Sequence, residues 1–327
     1  MKANALRRGD RVRVKSAAEI LGTLDESGAL DALPFMPEMV PYCGRTFTVT
    51  ARADKICDTI QFTRSLQLRD SVLLDDLRCD GADHGGCQAE CRFYWKEDWL
   101  EPAGGAEETS APEPDAQERA ALLDRVRRNV RKADSYKCQA TEAVRASVPL
   151  RTFDPRPYAR ELLNGNVDAG RFTRVMARAV VVEALRGANL WPGIGVRGTA
   201  STSKAAEPLG LKPGDWVEVK SRQEIEETLN DQGKNRGLWF DREMLLFCGK
   251  KFRIRRRIER LVDEKTGRFI RLKSDCFTLE GAVCSGERSF GRWFCPRAIY
   301  PYWRECWLRR SDPPAQVPFE QADSPAC

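Results

Sequence analysis

Histidine is almost absent from this chain: 327 residues contain one, His84. Imidazole catalysis and imidazole metal ligation are therefore confined to a single place. Long apolar runs are missing too. The most apolar stretch, Ala177 to Leu185, is broken by Arg178 and Glu183 and falls far short of the roughly 20 residues a spanning helix needs, so no membrane contact is expected. The N-terminal Met1-Lys-Ala-Asn-Ala-Leu-Arg-Arg runs straight into Gly9-Asp10 and alternating charges without the apolar core of a secretory signal, which predicts a cytoplasmic location. There is no phosphate-binding glycine loop, no dinucleotide fingerprint and no Ser-His-Asp arrangement. Charge of one sign is scarce as well: 54 Lys and Arg against 48 Asp and Glu leave +6, a weak attraction for anions.

Cysteine, by contrast, is plentiful. In a reducing compartment twelve cysteines point to metal ligation, a catalytic thiol or burial rather than to a disulfide framework. Three of them share a short segment with the only histidine, Arg78-Cys-Asp-Gly-Ala-Asp-His-Gly-Gly-Cys-Gln-Ala-Glu-Cys91, at the spacing Cys-x4-His-x2-Cys-x3-Cys. Thiolates and imidazole are the donors that zinc and iron–sulfur centres use, and glycines free the backbone to wrap them around one ion.

Residues 6–100 and 211–308 align as copies of one another, the strongest organisational signal in the chain. Gly9-Asp10-Arg-Val12-Arg-Val14-Lys-Ser16 matches Gly214-Asp215-Trp-Val217-Glu-Val219-Lys-Ser221. Phe35, Glu38, Met39, Cys43 and Phe47 fall on Phe240, Glu243, Met244, Cys248 and Phe252 without a gap. Cys79 and Gly81 meet Cys284 and Gly286. After a three-residue insertion Cys87 meets Cys295, and Trp95 and Trp99 meet Trp303 and Trp307.

Each copy opens with a Gly-Asp turn and an alternating strand, then a helix started by a capping box, Ser16-x-x-Glu19 or Ser221-x-x-Glu224. Asp263-Glu-Lys-Thr-Gly267 predicts a turn between two further strands. Short strands, tight turns and a Gly-Asp opening resemble the small SH3-like barrels. The fold expected is mainly β with an α-helical insert (α+β), as two tandem SH3-like modules related by internal duplication. The modules span 1–102 and 210–311, with linkers at 103–114 and 189–209, a helical segment at 115–188 and a tail at 312–327. In the helical segment Leu122, Val126 and Val130 recur every four residues, Asp154-Pro155 reads as an N-cap with proline following, and Phe172, Val175, Met176, Ala179, Val180 and Val182 make a broad apolar face.

Cys43, Cys79 and Cys87 in the first copy and Cys248, Cys284 and Cys295 in the second are shared thiols, and each trio leaves one position of a tetrahedral ion open. In the second copy Cys276 or Cys306 can complete an all-sulfur, structural site. The first copy has Ser71 and Asp98 there and offers His84, Cys91 and Cys57 instead, enough donors for an exchangeable ligand, a second metal or a reactive thiol. Zinc is the default ion, and Cys295-Pro296, like the Cys-Pro ending of some ferredoxin motifs, keeps an iron–sulfur cluster open. Cys138 and Glu142, four apart on a helix, are expected to share a face. The basic run Lys250 to Arg260 reads as the solvent side of a strand, with a nucleic-acid groove as the lesser reading, and the tryptophans as core.

The Arg78–Cys91 segment, Lys137-Cys-Gln-Ala-Thr-Glu142, Asp263-Glu-Lys-Thr-Gly267 and Phe294-Cys-Pro-Arg-Ala-Ile-Tyr-Pro-Tyr-Trp-Arg-Glu305 resemble a family of uncharacterised bacterial proteins, often encoded near glycosyltransferase or secondary-metabolite genes. The resemblance covers nearly the whole chain. It implies a biosynthetic or tailoring role and matched function for Cys43, Cys79, His84, Cys87, Cys91 and Cys138. It also sets Cys306 apart from the family's usual apolar residue, favouring Cys276. The expectation is a metal-dependent tailoring enzyme acting on a small-molecule or peptide substrate, with His84, Cys91, Cys138 and Glu142 in the catalytic site and a structural second site. The rival expectation is a zinc-braced scaffold that binds protein or nucleic acid. An enzyme predicts one concave site holding His84, Cys91 and Cys138; a scaffold predicts an exposed basic or aromatic face.

Overall fold

The computed structural model describes residues 5–61, 64–103, 115–128, 130–151, 154–188, 196–198, 208–288 and 291–314. Most of the two expected linkers and of the tail lie outside these residues. The fold is mixed α and β, with several small antiparallel sheets and few helices.

Two five-stranded sheets share one strand order. In the first half, Trp95–Lys96, Ser71–Leu74, Thr46–Arg52, Arg11–Val14 and Leu100–Pro102 lie side by side. In the second, Trp303–Arg304, Cys276–Leu279, Lys251–Arg257, Trp216–Val219 and Leu308–Arg310 do the same. Val12 pairs with Phe47 and Val217 with Phe252, and each long strand carries an irregularity at the same point, between Val49 and Ala51 and between Ile254 and Arg256. Neither sheet closes: each remains open at its two outer strands.

Alternation explains the strands. Val12, Val14, Val217 and Val219 are fully buried while the residues between them face outward or lie half-buried. Both capping boxes form, Ser16 with Glu19 ahead of Ala17–Thr23 and Ser221 with Glu224 ahead of Arg222–Glu226. The tryptophans are core: Phe35 meets Trp95 and Trp99 edge-on, Phe240 meets Trp303 and Trp307 likewise, and all four indoles are fully buried.

The helical segment ties the halves together. Ala116–Arg127, capped by Asp115, sends Leu122 and Val126 into the first core. Pro155–Leu163 is capped by Asp154 with proline in its first turn and ends at Asn164. Ala169–Gly187 packs Val175 and Ala179 with Trp293 and Phe294 of the second half. Its apolar face is narrower than expected, since Val180 is 65% exposed.

Each half also extends a hairpin onto the other. Ile56–Cys57 pairs with Ser65–Gln67, and Arg260–Val262 pairs with Phe269–Arg271 around the expected turn. The first hairpin lies on the loop before Cys295, where Ser65 Oγ donates to Gly291 O at 2.8 Å. The second lies on the loop after Cys87, where Gln88 Oε1 accepts from the amides of Glu259 at 2.7 Å and Arg260 at 3.0 Å. The buried Arg297 joins both hairpins, donating to Thr59 Oγ1 at 3.0 Å and Glu264 Oε1 at 3.1 Å.

Candidate metal centre

His84 ends a short 3-10 turn, Ala82–His84, bracketed by Gly81 and Gly85 in the left-handed region. Gly81 is required for a second reason: a Cβ there would fall 2.2 Å from Cys87 O and 2.6 Å from Cys87 N. The bare α-carbon lets the two cysteine-bearing strands of the loop touch. The loop is closed by Gly86 N donating to Gly81 O at 2.8 Å and by Cys79 N donating to Cys91 O at 2.8 Å.

The imidazole is buried and held at both nitrogens. Nδ1 lies 2.8 Å from Glu38 Oε1, which also accepts from the amide of Asp83 at 3.1 Å. Nε2 lies 3.5 Å from Cys79 Sγ, and Cys87 lines the same cavity as the ring. Among the described residues, Glu38, Cys79 and His84 are the group whose ligand atoms lie within 4.8 Å of one another and can hold an ion. Two donors bound to one tetrahedral zinc, at about 2.3 Å for sulfur and about 2.0 Å for nitrogen, sit about 3.6 Å apart, which is the spacing of Cys79 and His84. The other Glu38 oxygen, Oε2, is buried without a hydrogen-bond partner, the state expected of an acceptor that a cation or a water completes.

Electrostatics sort the thiols. Burial pushes Cys79 up, with His84 opposing it. At Cys87 burial acts the same way but is outweighed by the His84 bond and the Val262 amide, so this thiol is held below its ordinary value. Burial alone would depress His84. Its bonds to Cys79, Cys87 and Glu38 reverse that and hold it well above the usual imidazole value.

Cys91 and Cys138 complete the surroundings. Together with Cys79, His84 and Cys87 they line one small cavity of about 40 Å³, walled also by Val262 and Glu264 from the second half. Burial raises Cys138 to about 11 and holds Cys91 well above the ordinary thiol value. Cys138 is the N-cap of Gln139–Glu142 and lines this cavity. Glu142 pairs with Arg145 at 3.2 Å and lines a separate groove with Asp25 and Lys137. The cap position removes the shared face that a four-residue spacing within a helix would give.

The remaining thiols lie elsewhere. Cys43 is in the first core, its carbonyl accepting from Arg119 at 3.3 Å, its thiol pushed up to about 11 by burial. Cys248 packs against the second core, its thiol pushed up by burial. Cys276 belongs to a small cluster with Ile258 and Leu261, and Cys306 borders the second core. Cys57 faces the second half, where its amide donates to Cys295 Sγ at 3.1 Å. The Cys295 sulfur, with Arg297 and Arg292, brings Cys57 down to about 6 against the effect of burial.

Glu38 escaped the sequence reading as a site residue, although its match to Glu243 across the two copies marked it. No protein-family model, curated protein or solved structure matches the chain. Among the described residues no helix is long and apolar enough to cross a membrane.

Proposed function

We propose that this chain is a zinc-binding metalloenzyme whose centre is built on Cys79, His84 and Cys87, with Cys91 or Cys138 as the variable ligand. The observation that carries it is the imidazole held between Glu38 on Nδ1 and a thiol on Nε2. A carboxylate on the far nitrogen fixes the tautomer and orientation of a metal-ligating histidine. Zinc would be held by the thiolates and Nε2, and when bound would supply Lewis acidity or an activated water. The chain's own residues fix the donors: Gly81 allows the loop to close, Glu38 orients the ring, and the Val262 amide steadies the Cys87 sulfur at 3.3 Å.

The cavity of about 40 Å³ beside His84, Cys91 and Cys138 supports an exchangeable position more than a saturated one. The features a scaffold requires are weakly supported. Trp95, Trp99, Trp303 and Trp307 are interior, and Arg255 and Arg256 are engaged with Glu90 at 2.6 and 3.5 Å. The matched sheet order supports reading the halves as duplicated SH3-like modules. Buried free thiols fit a reducing cytoplasm, and a biosynthetic tailoring role rests on the family resemblance.

A second reading is favoured by the same geometry. Cys79, His84 and Glu38 are also placed as nucleophile, base and orienting acid. One experiment separates the two. Elemental analysis of protein purified without oxygen should find zinc at the first centre, lost in His84→Ala and in Cys79→Ser. Metal-free protein in which iodoacetamide labels Cys79 only when His84 is present would replace zinc with covalent chemistry. Iron with acid-labile sulfide would replace it with a cluster.

A further inference from the structure

We infer, on the basis of the centre proposed above, that its substrate is a small molecule with an anionic group. It binds in the groove that Glu142 lines and reaches the cavity at His84 past the side chain of Met36.

The cavity, about 40 Å³, is small beside the groove, about 220 Å³, and Met36 lines both. One short run of chain also serves both: Cys138, Gln139 and Ala140 face the cavity while Lys137 and Glu142 face the groove. A single layer of protein therefore stands between the two spaces. Its backbone is pinned. Gln139, buried at 5% exposure, donates through Nε2 to Pro34 O at 3.0 Å and Tyr94 O at 2.8 Å, and its Oε1 accepts from Tyr94 N at 2.8 Å. These bonds tie the helix Gln139–Glu142 to the strand that precedes Met36. The Met36 amide is itself held, donating to Met39 Sδ at 3.3 Å. The Met36 side chain is the soft part of this wall, since an unbranched thioether with three rotatable bonds changes rotamer readily. Such a change joins groove and cavity while the backbone stays in place.

Charge selects the ligand. Asp25 Oδ1 accepts from Ser27 N at 2.8 Å and Ala29 N at 3.0 Å, and Glu142 pairs with Arg145 at 3.2 Å. Lys137, half-buried in the groove wall, has no ion pair among the described residues. Phe35, Val126 and Val130 give the groove an apolar side. A carboxylate or phosphate at Lys137, with an apolar body toward Met36, suits this lining.

The test uses the full chain, stripped of metal and kept anaerobic, and follows alkylation of Cys91 and Cys138 by iodoacetate and by iodoacetamide with peptide mass spectrometry. A gate open about 0.1–10% of the time keeps wild type slow, so Met36→Ala should label at least about tenfold faster. Leu33→Ala, as deeply buried in the same core but lining neither space, should not. Met36→Leu keeps the volume with fewer rotatable bonds and should label more slowly than wild type. In the Met36→Ala chain, Lys137→Gln should lower the ratio of iodoacetate to iodoacetamide rates by about tenfold; the ratio cancels any change in thiol reactivity. The groove is ruled out if Met36→Ala labels no faster than Leu33→Ala, or if Lys137→Gln leaves the ratio unchanged. Should circular dichroism show Met36→Ala unfolded, Met36→Leu carries the test, and labelling as fast as wild type overturns the gate. A chain that holds no zinc yet gives both labelling results removes the centre and supports the groove.

Discussion

Glu38 Oε1 and His84 Nδ1 are 2.8 Å apart, with Cys79 at the ring's other nitrogen. The carboxylate sets which nitrogen faces the thiols, so its removal should be felt in metal binding more than in folding. Glu38→Gln is expected to weaken zinc affinity by about 10- to 100-fold, read by competition with a chromophoric chelator. An unchanged affinity would mean that Glu38 does not orient a ligand.

Glycine at position 81 should be irreplaceable, for a reason that can be controlled. Gly81→Ala adds a clash with Cys87 backbone to the strain of φ +73°. Gly281→Ala meets the strain alone, at φ +71° with nothing within 4 Å. The control should cost about 1 kcal/mol and Gly81→Ala about 3 kcal/mol or more, by denaturant unfolding, and only Gly81→Ala should lose zinc from the first centre.

Cys43 offers the opposite case. It is fully buried and shared by both copies in sequence, yet it packs in the core among apolar side chains. Cys43→Ala should lower stability by about 1–2 kcal/mol and leave metal stoichiometry unchanged. Loss of metal in this variant would return Cys43 to the ligand set.

Glu161 makes stability depend on pH. Burial raises it to about 8, opposed by Asn166 and Lys55; Asn166 donates to Oε2 at 2.7 Å, and Oε1 has no hydrogen-bond partner. A carboxyl raised above its unfolded value of 4.5 contributes stability that is complete below that value and is lost as pH rises through about 8. Wild type should therefore weaken between pH 5 and 8, and Glu161→Gln should flatten that slope in thermal melts. A slope unchanged by the substitution would assign it to other groups.

Local signals were legible in the sequence wherever short-range physics decides the outcome. The capping boxes at Ser16 and Ser221, the Asp154 cap and the alternation of Val12 and Val14 depend on neighbours a few residues away, and each appears as read. The thiols were harder because ligation is a long-range property. Cys43 and Cys79 share a copy and a register, but nothing in their spacing says that one turns into the core and the other toward His84. Cys57 was assigned by sequence to the first half's chemistry, whereas its hairpin carries it to Cys295. Glu142 was misplaced by treating Cys138 as an interior helical residue when it is the cap.

The reciprocal hairpins have one further consequence. Each half leaves its own loop short of an amide that its counterpart supplies, so two separate copies of one half would have to trade arms to finish themselves, as a domain-swapped dimer does. Joining them in one polypeptide makes the trade intramolecular. The tether, not the abundance of the protein in the cell, then sets how often the arms find their partners, and each arm can carry its own side chain, a thiol at Cys57 from the half that also holds the imidazole and a valine at Val262 from the other.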